Sequence, residues 1–324
     1  MVRTRLYRDG ALAAEDFPVA DVAEHLRDPA ATVWVGMTAP TRDDLAGIAE
    51  ELGLHELAIE DATSDRHQRP KLDRYDGHLF LVAYQTRLDP ASGALATHEI
   101  AAFVTGNALV TVHPDAHPDV DGVLARWDSA QEHAAAGVAF LLHGLLDQIA
   151  ATQFDAAQAL DDEFESLEDM VFDDRADHRS IQRRALRLRK SLTRLRQVAL
   201  PMRDLLADLL KPDAVPGIGP LAPYFQDVHD RVLRTAENIL SLRELVAIIR
   251  ETQLGIQANR LNSVMKKVTS WAAIIAVPTA ITGFYGQNLP YPGAEQLSGF
   301  WVSTTLIVLL SGGLYVLFKR RDWL

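Results

Sequence analysis

The sequence predicts an α+β body followed by one long stalk helix and two C-terminal membrane helices. Three observations carry that prediction. The first 125 residues hold several short apolar segments of strand type, HLFLVAYQT (78–86) among them. From about Tyr224 an apolar 3,4 spacing runs without a breaker as far as Pro278. Two runs of 19 uncharged residues, 268–286 and 300–318, lie near the C-terminus, and each is long enough to cross a bilayer core.

The 324 residues suffice for one large or two ordinary domains plus a membrane anchor. A net charge of −12 argues against nucleic acid and suits a protein that handles cations. The absence of cysteine rules out disulfides and thiolate metal sites, and it fits a reducing cytoplasm. The opening MVRTRLYRDG has no apolar core of signal-peptide type. Residues 1–125 contain no Gly-rich phosphate loop and no nucleophile elbow, so the expectation is not an enzyme.

Residues 1–125 read as a cytoplasmic α/β domain. Strands are expected at 3–7, 32–37, 78–86, 98–105 and 108–113. Asp9-Gly10 marks a turn after the first, and Gly106-Asn107 a two-residue turn between the last pair. Thr41, with Asp43 and Asp44, predicts the start of a helix over 42–52. Residues 126–223 read as a helical region with a long hairpin at 136–211. Its first arm is acidic (Asp161, Asp162, Glu163, Glu165, Glu168, Asp169). Its second is basic (Arg183, Arg184, Arg187, Arg189, Lys190, Arg194, Arg196). Two solvated faces pairing by charge outweigh a metal-binding role for these arms. Four prolines and two glycines make 212–223 a loop. The stalk helix follows over 224–286, with Ile239, Leu242, Val246, Ile249 and Ile256 as its packing face. Its last part, 268–286, is the first membrane span. An extracytoplasmic loop covers 287–299, the second span 300–318 and a basic tail 319–324.

Orientation follows from the flanking charges. Lys266 and Lys267 precede the first span, and Lys319, Arg320 and Arg321 follow the second. The loop between them carries no Lys or Arg and one acid, Glu295. The positive-inside rule then places both termini in the cytoplasm, with the spans in the cell (inner) membrane.

A second 3,4 register runs along the same helix: Glu251, Gly255, Ala258, Asn262, Met265, Thr269, Ala272, Ala276, Thr279, Gly283 and Gly286. Most of these residues are small and several are polar. Close packing of membrane helices explains such a stripe. So does the lining of a narrow pore in a ring of identical subunits, and register alone does not choose. The loop favours the pore. Gly286, Gln287 and Asn288 place two side-chain amides and freed carbonyls at its outer end. Two spans cannot enclose a pore, so several copies must, and cyclic symmetry would make a ring of oxygens. Neutral oxygens suit a hydrated hard cation such as Mg²⁺, which keeps several of its waters.

Four segments carry a family resemblance. They are LAIEDATSDRHQRPKLDRYDGHLFLV (57–82), PYFQDVHDRV (223–232), VPTAITGFYGQN (277–288) and FKRRDWL (318–324). In this order they resemble the CorA metal-ion transporter family, whose signature Tyr-Gly-Met-Asn stands here as Tyr285-Gly286-Gln287-Asn288. The resemblance spans nearly the whole chain. It implies a homopentameric funnel whose stalk helices line the pore, with the second spans as an outer ring. It implies passive influx of Mg²⁺, with Co²⁺ or Ni²⁺ as passengers, and no organic cofactor. Gly286 and Asn288 fall on the family's filter, Asn262, Met265 and Thr279 on pore-lining places, and Glu251 on an acidic inner place. The implied gate is regulatory Mg²⁺ bound between neighbouring cytoplasmic domains, with Asp227 as the stalk-side carboxylate and Asp89 as its partner.

Two departures matter. Gln287 replaces the signature's Met, and the following loop lacks the usual Met-Pro-Glu run, for which Glu295 stands in. They keep a Zn²⁺ transporter of the same superfamily open as an alternative, and a non-conducting membrane-anchored sensor or scaffold is a second. Other tempting residues read as structural. HPDAHPD (113–119) reads as a surface turn before it reads as a metal site, His133 and His143 as helix residues, and Pro278 as a kink. Asp61 reads equally as a capping acid or a regulatory ligand.

Overall fold

The structure, a computed structural model, describes residues 1–64, 68–114, 120–172, 177–211, 214–287 and 296–324. They divide into two compact units, Met1–Ala247 and Ile248–Leu324. The strands are β1 (Val2–Arg8), β2 (Ala11–Glu15), β3 (Ala31–Thr38), β4 (Lys71–Tyr75), β5 (His78–Asp89), β6 (Ala94–Val104) and β7 (Ala108–His113). The helices are α1 (Val22–His25), α2 (Arg42–Leu52), α3 (Glu56–Thr63), α4 (Val120–Ser129), α5 (Val138–Phe172), α6 (His178–Leu209), α7 (Ile218–Tyr285) and α8 (Leu297–Arg320).

Among the described residues the strands form one sheet in the order β2-β1-β3-β7-β6-β5-β4. Every pairing is antiparallel except β3 with β7. Local chemistry sets the corners. Asp9 (φ 50°) and Gly10 (φ 79°) both take the left-handed backbone that joins β1 to β2 through two residues. The Thr41 hydroxyl accepts from Asp44 N–H at 3.2 Å while the Asp44 carboxylate accepts from Thr41 N–H at 2.8 Å, a reciprocal cap that starts α2.

Alternation along the strands sends apolar side chains to both faces. Leu79, Leu81, Ile100, Ala102 and Val104 join a core with Trp127 of α4 and with Phe140, Leu141 and Leu145 of α5. Phe80, Val82, Ala101, Phe103 and Val110 are buried as well, on the alternate positions. Two tryptophans key the first layer together. Trp34 and Trp127 meet edge to face, with centroids 5.2 Å apart. Their indole N–H groups donate to Thr111 Oγ1 at 3.0 Å and to the Leu141 carbonyl at 3.1 Å. Gly36 and Gly144 make room, since a Cβ at either would overlap an indole ring.

The start of α7 packs on this core through Leu221, Phe225, Val228 and Val232, at helical spacing. Each such buried side chain contributes about 1.5–3 kcal/mol. The helix begins at Ile218 rather than near Tyr224, so the expected loop over 212–223 is shorter. Pro220 lies in the first turn, where backbone N–H groups have no helical partner anyway, and it does not break the helix. Ile239, Leu242, Val246 and Ile249 are buried, whereas Ile256, on the same spacing, is exposed. Between the hairpin arms α5 and α6, Arg184 makes a two-pronged pair with Glu163 at 2.8 and 2.7 Å. Among the described residues Arg183, Arg187, Arg189 and Lys190 form no ion pair, so pairing by charge across the arms is limited to that contact.

Candidate functional site

In the second unit, the C-terminal part of α7 and all of α8 are long and apolar enough to cross a membrane. Trp271, Ile275, Phe284, Val308, Leu309 and Val316 are exposed on them, a surface that suits lipid rather than water.

The two helices meet along a defined face. On α7, Ser270 is buried, and Ala273, Ile274, Val277, Pro278, Ile281 and Tyr285 are half-buried. On α8, Gly299 is buried, and Ser303, Thr304, Ile307, Ser311, Leu314 and Phe318 are half-buried. Trp271 and Tyr315 approach to 6.5 Å between centroids, and Lys266 Nζ lies 6.0 Å from the Trp323 ring centroid. Gly299, Ser303 and Ser311 are small, which allows close backbone approach.

The polar stripe is on a different face. Glu251, Gly255, Ala258, Asn262, Met265, Thr269, Ala272, Ala276, Thr279, Gly283 and Gly286 are all exposed in the single chain. At ~100° per residue, those within the span lie nearly half a turn from the face that meets α8. Packing within one chain therefore does not account for them. Thr279 Oγ1 donates to the Ile275 carbonyl at 2.9 Å, which leaves the hydroxyl lone pairs as acceptors. A Cβ at Gly255 or Gly283 would meet nothing within 4 Å. Any demand for a small residue at these places arises outside the chain.

The end of α7 closes on Gly286, whose N–H donates to the Thr282 carbonyl at 2.8 Å. A Cβ at Gly286 would stand 3.0 Å from that oxygen, a tight approach that favours glycine. Gln287 is exposed, and its N–H donates to the Phe284 carbonyl at 3.3 Å. Asn288 and Glu295 lie outside the described residues.

The two carboxylates named for regulation are both in the first unit. Asp227 on α7 has a 65% exposed side chain, 3.4 Å from Arg231 Nη2. Arg231 Nη1 reaches Asp147 Oδ1 on α5 at 2.7 Å, and Asp147 also pairs with Arg126 on α4. Asp89 closes the β5–β6 turn, where its carboxylate accepts from the Ser92 hydroxyl and from Ala91 N–H at 3.0 Å. Those bonds, Ser92 first, hold Asp89 below its ordinary pKa. No described contact joins Asp227 to Asp89, and no group of three or more potential metal ligands occurs among the described residues. Asp61 is engaged by Lys71 Nζ at 2.6 Å. His113 is buried at the end of β7, and desolvation pushes its pKa down to about 4. The rest of the HPDAHPD pattern, from residue 115 on, lies outside the described residues.

Sequence reasoning misses Arg231, Asp147 and Arg126. The i,i+4 spacing of Asp227 and Arg231 is a readable signal. Nothing local signals the contact with Asp147, which is 84 positions away.

Comparison with known proteins gives these features a context. The family described as CorA-like Mg²⁺ transporter protein matches residues 29–320. The cobalt/magnesium transport protein CorA of Thermotoga maritima is 28% identical over 315 residues, covering 95% of this chain and 89% of that protein. The complete structure of the CorA magnesium transporter from Methanocaldococcus jannaschii superposes with a TM-score of 0.78 at 21% identity, covering 100% of this chain and 99% of that one. The cytoplasmic domain of ZntB from Vibrio parahaemolyticus superposes with a TM-score of 0.61 at 14% identity, covering 79% of this chain and 98% of that one.

Proposed function

Because the chain belongs to the family of CorA-like Mg²⁺ transporter proteins, we propose that it carries Mg²⁺ passively into the cell through a pore built from several copies of itself. It is a divalent-cation transporter of that family and not an enzyme. The free stripe of α7 carries the finer reading. Its small and polar positions share one face that α8 leaves uncovered, and a ring of copies gives that face a common axis. A homopentamer is the assembly we favour. The charges around the spans support cytoplasmic termini in the cell membrane.

In this reading Gly286, Gln287 and Asn288 form the outer filter, with Glu295 as the loop acid. Neutral oxygens hold the ion through its waters, so it is recognised without being trapped. Asn262, Thr269 and Thr279 continue the polar path, interspersed with Gly255, Ala258, Met265, Ala276 and Gly283. Glu251 draws the ion at the inner end. The membrane potential drives influx, at about 4.6 kcal/mol per Mg²⁺ for each 100 mV. Cytoplasmic Mg²⁺ closes the pore by binding between subunits, at Asp227 with Asp89 as its partner.

The test is flux of Mg²⁺, Co²⁺, Ni²⁺ and Zn²⁺ into liposomes holding the purified chain. Voltage-dependent Mg²⁺ influx is expected. Flux of none of the four would leave a sensor or scaffold in its place. Gln287 in the filter favours Zn²⁺ transport as the second reading, and Zn²⁺ flux untouched by excess Mg²⁺ would establish it.

A further inference from the structure

A cleft in the first unit lies where α6 passes the β4, β5 and β6 end of the sheet. Its volume is about 820 Å³, and Arg69, Tyr84, Thr97, Arg194, Arg196 and Gln197 are among the residues that line it. That size is in the range of small-molecule sites. We propose that this cleft binds a phosphate-bearing anion.

Charge points to that ligand. Among the described residues three guanidinium groups line the cleft, and no Asp or Glu does. The Arg69 and Arg196 guanidinium groups have neither an ion pair nor a hydrogen bond among the described residues. Arg194 donates through Nη1 to the Leu95 carbonyl at 3.0 Å, which orients it and leaves its other donors available. The neighbouring Lys71 is different, because Asp61 and Asp73 pair with it at 2.6 and 2.7 Å. The charged side chains that line the cleft, among the described residues, are thus all positive, on a chain of net charge −12. Like charges brought together repel, and a bound anion relieves that.

Geometry agrees with charge. The three arginines come from two separate segments, Arg69 just before β4 and the other two on α6. The Tyr84 hydroxyl donates to Glu99 Oε2 at 2.6 Å, which fixes that wall of the cleft. Planar forked donors match phosphate oxygens two at a time, which a lysine cannot do. The volume exceeds that of a single phosphate, so a polyphosphate or a larger phosphate ester fits the chemistry.

Calorimetric titration of the full chain in neutral-lipid nanodiscs with inorganic triphosphate, in metal-free buffer, tests this. Saturable binding is expected, weakened about tenfold or more in Arg194→Gln/Arg196→Gln, about 1.4 kcal/mol. Arg196→Lys, which keeps the charge but loses the fork, is expected to fall between the two. A repeat in nanodiscs of anionic lipid separates the sources. Lower apparent affinity there identifies a lipid headgroup as the competing occupant, and equal affinity identifies a soluble phosphate. No saturable binding, or binding unchanged in the double variant with Mg²⁺ flux intact, overturns the proposal.

Discussion

Arg231 on α7 holds Asp147 on α5 through an Nη1–Oδ1 contact of 2.7 Å, and its Nη2 lies 3.4 Å from Asp227. The guanidinium thus anchors the start of the stalk and partly neutralises the carboxylate proposed to bind closing Mg²⁺. Asp227→Lys is expected to raise the cytoplasmic Mg²⁺ concentration needed for half-inhibition. Arg231→Met removes a competing cation and is expected to lower it, by about two- to five-fold for a pair whose carboxylate is exposed. Flux at stepped internal Mg²⁺ reads both shifts. Identical inhibition curves for the two variants and the parent would remove Asp227 from the gate.

His113 makes the first unit sensitive to acid. Its pKa in the folded chain is about 4, below the ordinary value of 6.5, because burial disfavours the charged ring. Between those values the unfolded chain binds the extra proton and the folded chain does not. Stability is therefore full above about pH 6.5 and falls as pH drops toward 4, by about 3 kcal/mol from this group. Burial also lowers the pKa of His78 and His143, and both add to the same slope. His113→Phe is expected to flatten the loss between about pH 6.5 and 4.5 in thermal unfolding of the detergent-solubilised chain. An unchanged slope would count against the burial argument.

Gly144 is expected to be far less replaceable than Gly47. A Cβ at Gly144 runs into the Trp127 indole, whereas one at Gly47, exposed on α2, meets nothing within 4 Å. Gly144→Ala should cost about 1–3 kcal/mol through displacement of Trp127 from Trp34. Gly47→Ala should stabilise by about 0.5–1 kcal/mol through helix propensity. Denaturant melts with tryptophan fluorescence give both signs, and equal effects would refute the packing account.

Short-range chemistry is what a reader can take from the chain directly. Thr41 and Asp44 cap α2 within one turn, and Asp9-Gly10 demands a tight turn, so both are visible locally. β2 and β4 escape a sequence reading, and they are the two edge strands of the sheet. An edge strand buries less, so ALAAE and KLDRY lack the continuous apolar run of β5. The expected start of α7 falls late because Pro220 and Pro223 signal a break, yet core contacts of Leu221 and Phe225 hold the helix. The α7 stripe is legible from its 3,4 spacing. Which face α8 covers is not, because that depends on side chains far apart in the chain. The arginine cleft is invisible for the same reason, since Arg69 and Arg194 come together only through the fold.

The proposed filter is tested at Asn288 and Gln287. Asn288→Ala is expected to abolish Mg²⁺ flux with assembly retained, because it removes an amide oxygen without adding bulk. Gln287→Met supplies the residue of the Tyr-Gly-Met-Asn signature that this segment resembles, and is expected to shift relative flux from Zn²⁺ toward Mg²⁺. Competition flux in one liposome preparation measures both, and full Mg²⁺ influx through Asn288→Ala would sink the filter assignment.

Gly283 separates the two explanations of the stripe. Its Cβ position is empty in the single chain, so Gly283→Leu is expected to leave the fold of that chain undisturbed. Ser270 offers the contrast. It is fully buried, and its hydroxyl donates to the Lys266 carbonyl at 2.8 Å, so Ser270→Leu is expected to disrupt the pairing of α7 with α8. A pore reading requires that Gly283→Leu leaves the size of the assembly unchanged and blocks Mg²⁺ influx, because the added side chains of all subunits converge on one axis. A packing reading requires the reverse order of events, with the assembly dissociating and flux lost only as a consequence. Light scattering of the solubilised assembly beside liposome flux decides between them. An intact assembly that still conducts Mg²⁺ would place Gly283 outside the ion path altogether.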